Sequence, residues 1–168
     1  MIFATVGTQL PFHRLLLALD TWAALNPSVQ VVAQTGRTSA SYNHMRTFPQ
    51  MDQRQFAETV ARARVVVAHA GMGTILTALE TGKPLILMPR RADLGEHRND
   101  HQIDTAAEMA SLSNVTVAAD TQALCTALNR AMSMPPVQAG RGADVAPPQL
   151  IEAVRSFIWA DQYPQARP

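Results

Sequence analysis

Residues 65–102, VVVAHAGMGTILTALETGKPLILMPRRADLGEHRNDHQ, constrain the fold more tightly than any other part of the chain. Val65 to Ala68 is an apolar run of the length of a buried strand. A turn follows, His69-Ala70-Gly71-Met72-Gly73-Thr74, and then a helical pattern with Ile75, Leu76 and Leu79 on one face. Gly82 stands where such a helix stops. Lys83-Pro84 leads into a second apolar run, Leu85 to Met88, which Pro89 ends. The polar loop Arg90–Asp100 comes next. Strand, glycine turn, helix, strand and polar loop make one βαβ unit.

The physics of that unit points to an anion. Gly71 and Gly73 allow backbone to approach a ligand with no Cβ between them. The first N–H groups of the helix have no partner within it, and the helix dipole adds partial positive charge at the same place. In open α/β sheets, ligands bind beyond the carboxyl ends of the strands. His69, the turn and the loop after Pro89 are therefore expected on one rim. A G-x-G pair at a strand–helix turn also serves tight packing alone, so the spacing does not decide the matter by itself.

Composition narrows the class. The 168 residues suffice for one domain with a real core, and 47% are apolar against 16% charged. A net charge of +1 gives no reason to expect nucleic-acid binding. Nearly all the basic residues are arginine, which suits carboxylate or phosphate recognition and equally follows from codon usage. The single cysteine, Cys125, excludes an internal disulfide and points to a reducing compartment. No apolar run reaches the length of a membrane span, and no signal peptide is visible. The expected location is cytoplasmic.

The remaining segments repeat the alternation. Strands are expected over Ile2–Val6, Val29–Ala33, more weakly Tyr42–Phe48, and Val115–Ala118. Helices are expected from Pro11 to Leu25, after an Asp52 N-cap, from Asn99 to Leu112, and after an Asp120 N-cap. Met134–Pro148 reads as a connecting loop. Leu150, Ile151, Val154, Phe157 and Ile158 read as a last amphipathic helix. The expected fold is α/β: a single Rossmann-like domain over residues 1–160, with a parallel sheet of about six strands, helices on both faces, and a flexible tail over 161–168. Strand ends at Gly7, Gly36, Phe48, His69 and Pro89 all carry residues able to touch a ligand. The first strand is followed by GTQLPF rather than G-x-G-x-x-G, and no G-x-x-x-x-G-K loop occurs. Dinucleotide and ATP chemistry are therefore poor fits.

VGTQ after the first strand, HAGMGT after the central one, GKPLILMPR and the loop ending NDHQ together resemble one family. It is the donor-binding half of twin-Rossmann UDP-sugar glycosyltransferases. The likeness extends to small subunits of split enzymes, such as that of the dolichol-linked N-acetylglucosamine transferase and bacterial exopolysaccharide glucuronosyltransferases. The resemblance implies that His69, Gly71, Met72, Gly73 and Thr74 hold the UDP diphosphate. It implies that Gly7, Thr8 and Gln9 face the phosphates, that the stretch from Phe48 to Met51 brackets uracil, and that Asp100, His101 and Gln102 read sugar hydroxyls. Relatives often place a glutamate on the ribose where this chain has Thr77, with Glu80 one turn beyond, so ribose recognition is less well specified.

The same resemblance implies a mechanism. Amides at Gly71–Thr74, with His69 nearby, would stabilise charge building on the β-phosphate as the sugar departs. No D-x-D metal motif is present, so no cofactor is expected and the UDP-sugar is the donor substrate. In this architecture the general base commonly comes from the other domain. The implied partners are a lipid-linked glycan acceptor and a membrane-anchored glycosyltransferase subunit that holds the chain at the inner face of the membrane. His13 is a second candidate base, although a histidine at a helix start also suits a capping role. In the loop, where Glu96 is also a candidate donor contact, Arg90 and Arg91 could form a fork for a uronic acid carboxylate, favouring UDP-glucuronate, or could pair with Asp93 or Glu96 and only shape the loop. His97 and His101 have zinc-like spacing, but no third ligand is placed. A UDP-N-acetylglucosamine transferase subunit, a non-catalytic UDP-sugar-binding subunit and a UDP-sugar epimerase are the competing readings.

Overall fold

A computed structural model of the chain describes residues 1–135. The helix expected over 150–158, the tail, and all but the start of the loop expected over 134–148 lie outside those residues. The strands are β1 (Ile2–Thr5), β2 (Val31–Gln34), β3 (Arg46–Phe48), β4 (Val65–Ala68), β5 (Leu85–Leu87) and β6 (Val115–Val117). The helices are α1 (His13–Leu25), α2 (Gln53–Arg62), α3 (Met72–Glu80), α4 (His101–Met109) and α5 (Thr121–Ser133). All neighbouring strand pairs are parallel, in the order β3-β2-β1-β4-β5-β6.

β1, β2 and β4 are fully buried runs because both faces of the sheet are covered. Alternate residues feed two separate cores. Ile2, Ala4, Val31, Val65 and Val67 pack with Leu15, Leu19 and Trp22 of α1 and Leu124 and Leu128 of α5. Phe3, Val32, Val66 and Leu85 pack on the other face with Val60 of α2 and Ile75 and Leu79 of α3. Each such leucine or isoleucine, taken fully out of water, contributes about 1.5–3 kcal/mol before entropy is counted.

The strand order reverses between β1 and β4. The chain leaves β1 towards α1 on one face and leaves β4 towards α3 on the other. The two exit loops diverge, and a crevice opens between them at the carboxyl edge of the sheet.

The largest departures from the expected bounds are at β3 and α4. β3 was expected from Tyr42 but begins at Arg46. The preceding residues are drawn to α1 instead: the Tyr42 hydroxyl lies 3.2 Å from His13 Nδ1, and the His44 N–H donates to Asp20 at 2.8 Å. Met45 is buried in the α1 core, and the pairing with β2 starts only at Arg46. α4 begins at His101 rather than Asn99. Asp100 stands at its N-cap position without capping, because its carboxylate accepts the Ala92 N–H at 2.8 Å. Asp52 and Asp120 do cap their helices as expected, Asp52 through a reciprocal bond with Gln55.

Candidate functional site

The crevice is a cleft of about 460 Å³. One wall is Gly7–Leu10 after β1, and the opposite wall is His69 with Gly71–Thr74 after β4. Gln34, Met51, Gln53 and Phe56 line one end, and Arg90, His97 and Gln102 the other. Among these described lining residues there is no carboxylate. Below the cleft, Thr5 donates its hydroxyl to the Gln34 side chain in a buried bond, and Thr5 Oγ1 accepts the Gly7 N–H at 3.3 Å. Gly7 has φ +76°, a conformation that glycine adopts without strain and that turns the chain across the cleft floor.

His69 occupies the centre. A Cβ on Gly7 would lie 2.9 Å from its Cε1, and a Cβ on Gly71 only 2.2 Å from its Nε2. The imidazole therefore fits between two glycines, and Gly71 is required by its neighbour's ring before any ligand arrives. Burial, and then the charge of Arg90, lower the His69 pKa to about 4, so the ring is neutral at pH 7. Its buried Nδ1 has no hydrogen-bond partner among the described residues.

The start of α3 is open. Gly71 is its N-cap and has no side chain to cap with. The Gly71 N–H folds back to the His69 carbonyl at 2.8 Å, and the Thr74 N–H to the Gly71 carbonyl at 3.2 Å. The N–H groups of Met72 and Gly73 have no such partner among the described residues. A Cβ on Gly73 would meet nothing within 4 Å, so the cleft comes up to bare backbone there. The set of amides expected at Gly71–Thr74 thus narrows to two, on residues that line the cleft at the positive end of the helix dipole.

The sequence model of the glycosyltransferase family 28 C-terminal domain matches residues 1–152. The chain belongs to this family. Solved structures share the fold. One is a glycotransferase of kitacinnamycin, 20% identical with a TM-score of 0.64, matched over 95% of this chain and 39% of that one. The solution structure of ALG13 is 19% identical with a TM-score of 0.61, over 94% and 96% of the two chains. A UDP-glucose:anthocyanidin 3-O-glucosyltransferase in complex with UDP is 14% identical with a TM-score of 0.58, over 98% and 37%. The chain therefore spans about two fifths of the first and third of these proteins and nearly all of ALG13.

In this family 28 domain, the expected residues Gly7, Thr8, Gln9, Met51, His69, Gly71, Met72, Gly73, Thr74, Arg90 and Gln102 gather on the cleft. Others do not reach its wall. Phe48 lies under the Arg46 guanidinium, 4.9 Å from its ring centre, beside a separate groove at the sheet edge. Thr77 turns its hydroxyl back to the Gly73 carbonyl at 3.0 Å. His13 faces Tyr42. Asp100 is turned to Ala92, and His101 shares the Asn99 side chain with His97, whose ring it meets edge-on at 4.5 Å.

The arginine fork expected for a sugar carboxylate is not presented. Arg90 is 2% exposed, and its guanidinium donates to the carbonyls of Val6, Leu10 and Pro11 at 2.9, 2.7 and 2.6 Å. Arg91 pairs with Asp93, with bonds of 2.9 and 2.6 Å, away from the cleft. Glu96 is gripped bidentately by Arg14, each bond 2.7 Å. The loop arginines thus brace the loop.

The cleft also uses residues that sequence reasoning passed over. Gln34, Gln53 and Phe56 line it. Gln34 alone carried a signal, as a polar residue at the carboxyl end of an apolar strand.

Proposed function

We propose that the cleft binds the diphosphate of a UDP-sugar. On this reading the chain is the donor-binding catalytic subunit of an inverting, metal-independent glycosyltransferase. A membrane-anchored partner then supplies the lipid-linked acceptor and the general base. The observation that carries the reading is the pair of amides, Met72 and Gly73, unpartnered among the described residues and set on a cleft whose described lining holds no carboxylate. An anion is the ligand that such a site favours.

When the sugar leaves, negative charge grows on the β-phosphate. Amides already aimed at that oxygen stabilise it with no reorganisation, and each donor of this kind contributes about 3–4 kcal/mol to a transition state. Neutral His69 adds a ring that donates or accepts a hydrogen bond rather than a second cation. Deprotonating the acceptor hydroxyl needs a base. The described cleft offers no carboxylate for that task, and His13 lies off it. This supports a base from outside the described domain.

The donor sugar is the finer part of the proposal. UDP-glucuronate requires Arg91 to exchange Asp93 for the sugar carboxylate, because Arg90 is engaged with carbonyls. UDP-N-acetylglucosamine requires no such exchange. Transfer assays with UDP-glucuronate, UDP-glucose and UDP-N-acetylglucosamine, run with the lone chain and then with a candidate membrane partner, test the whole reading. Transfer that appears only with the partner supports it. Donor binding without transfer in either case would instead favour a non-catalytic binding subunit.

A further inference from the structure

Arg90 is the most deeply buried charged side chain among the described residues, and it makes no direct ion pair there. Its three close acceptors, Val6, Leu10 and Pro11, are neutral carbonyls of the loop that leaves β1. The face of its guanidinium lies over the Phe12 ring, 4.5 Å from the centre. Its own N–H is tied to Gln102 Oε1 at 3.1 Å. Its closest side-chain partners thus belong to residues 6–12, which include the Gly7–Leu10 wall, and one longer bond of 3.4 Å goes to the Glu96 carbonyl. Burying a guanidinium is costly unless its donors are satisfied, and here they are satisfied without cancelling the charge.

We infer that Arg90 is a positioning residue, a fixed positive charge behind the anion subsite that shapes the Gly7–Leu10 wall through its carbonyls and acts on the ligand through space. This rests on the proposed diphosphate site. The arrangement differs from a phosphate-clamping arginine, whose donors would be spent on the ligand itself. It also makes a distinction between charge and fork. Lysine at this position keeps the charge but cannot span three carbonyls. Glutamine loses the charge.

The test measures wild type, R90K and R90Q in two ways. Titration calorimetry uses UDP, uridine and inorganic pyrophosphate as probes. NMR follows the titration of the His69 ring, whose charged neighbours are Arg90 and His97. R90Q is expected to weaken UDP and pyrophosphate by about tenfold or more while leaving uridine affinity unchanged. It is also expected to raise the His69 pKa from about 4 towards its ordinary 6.5, whereas R90K holds it low. Equal movement of His69 in both variants, or equal loss of UDP and uridine, would make Arg90 a scaffold residue and overturn the inference. Wild type that ignores both UDP and pyrophosphate would overturn the diphosphate reading instead, and the His69 titrations would still decide whether a charge stands behind that ring. If R90Q does not fold, R90K carries the test by calorimetry: pyrophosphate affinity held within about threefold of wild type supports the inference, and a loss of about tenfold or more contradicts it.

Discussion

The Gly71 Cα and the His69 imidazole are packed so closely that a single methyl group on the glycine would lie 2.2 Å from Nε2. Gly73, two residues on, has open space at the same position. The two glycines of the G-x-G turn therefore do different work. Gly71 seats a side chain, and Gly73 leaves backbone bare towards the cleft.

Alanine substitutions should separate these roles. Gly71→Ala forces the His69 ring out of its slot and should cost about 1–3 kcal/mol, read as a lower Tm. Gly73→Ala lies in the first turn of α3, where alanine is the better helix former, and should leave Tm unchanged or raise stability by up to about 1 kcal/mol. Both should weaken UDP binding. A Gly73→Ala protein with full UDP affinity would mean that the diphosphate does not approach that backbone.

Stability should depend on pH through His69. Its pKa is about 4 in the folded chain against 6.5 for an unperturbed ring. Between those values the unfolded chain binds the proton and the folded chain does not, so stability falls as pH drops from 6.5 towards 4. The contribution of this group is at most about 3–4 kcal/mol, present in full above pH 6.5 and gone below pH 4. Urea unfolding at several pH values, compared between wild type and His69→Gln, isolates it. The variant should show a shallower loss over that window, and parallel curves would contradict the assignment.

The bidentate pair between Arg14 on α1 and Glu96 joins two loops, because Arg14 also donates to the carbonyls of Pro89 and Ala119 at 2.8 and 3.0 Å. Its side chains are only 18% and 12% exposed, so solvent screens it less than a surface pair. Glu96→Gln should destabilise the chain by about 1–3 kcal/mol, since Arg14 and the Arg91 N–H both lose a charged acceptor. A double-mutant cycle with Arg14→Met measures the coupling. A coupling near zero would show that the loops are held by other contacts.

Arg91 tests the uronic acid reading of the donor. Paired with exposed Asp93, it contributes little to stability, and Arg91→Ala should leave Tm unchanged. If the donor is UDP-glucuronate, the substitution should lower kcat/KM for it by tenfold or so while sparing UDP-glucose. Equal kcat/KM changes with the two donors would remove the uronic acid preference.

Much of this was legible in the sequence where a residue's role is set by near neighbours. The buried strands showed as unbroken apolar runs, since a parallel sheet covered on both faces needs apolar side chains throughout. The Asp52 and Asp120 caps showed because their partners lie three residues away. β3 was overestimated because Tyr42 and His44 are held by His13 and Asp20, which no local pattern pairs with them. The arginine loop misled for the same reason. Arg90 reads as an exposed fork until the Val6 and Leu10 carbonyls, some eighty positions away, are brought beneath it. Phe56 packs against the core beneath α2, and the same ring also borders the cleft, which local spacing does not reveal.

The most direct test of the central claim is an amide NMR titration of the chain with UDP, with GDP as control. The account predicts that the Met72 and Gly73 amides shift strongly and saturably with UDP and much less with GDP, while the capped amides of Gln55 and Ala123 stay still. Unmoved Met72 and Gly73 amides at millimolar UDP would contradict it.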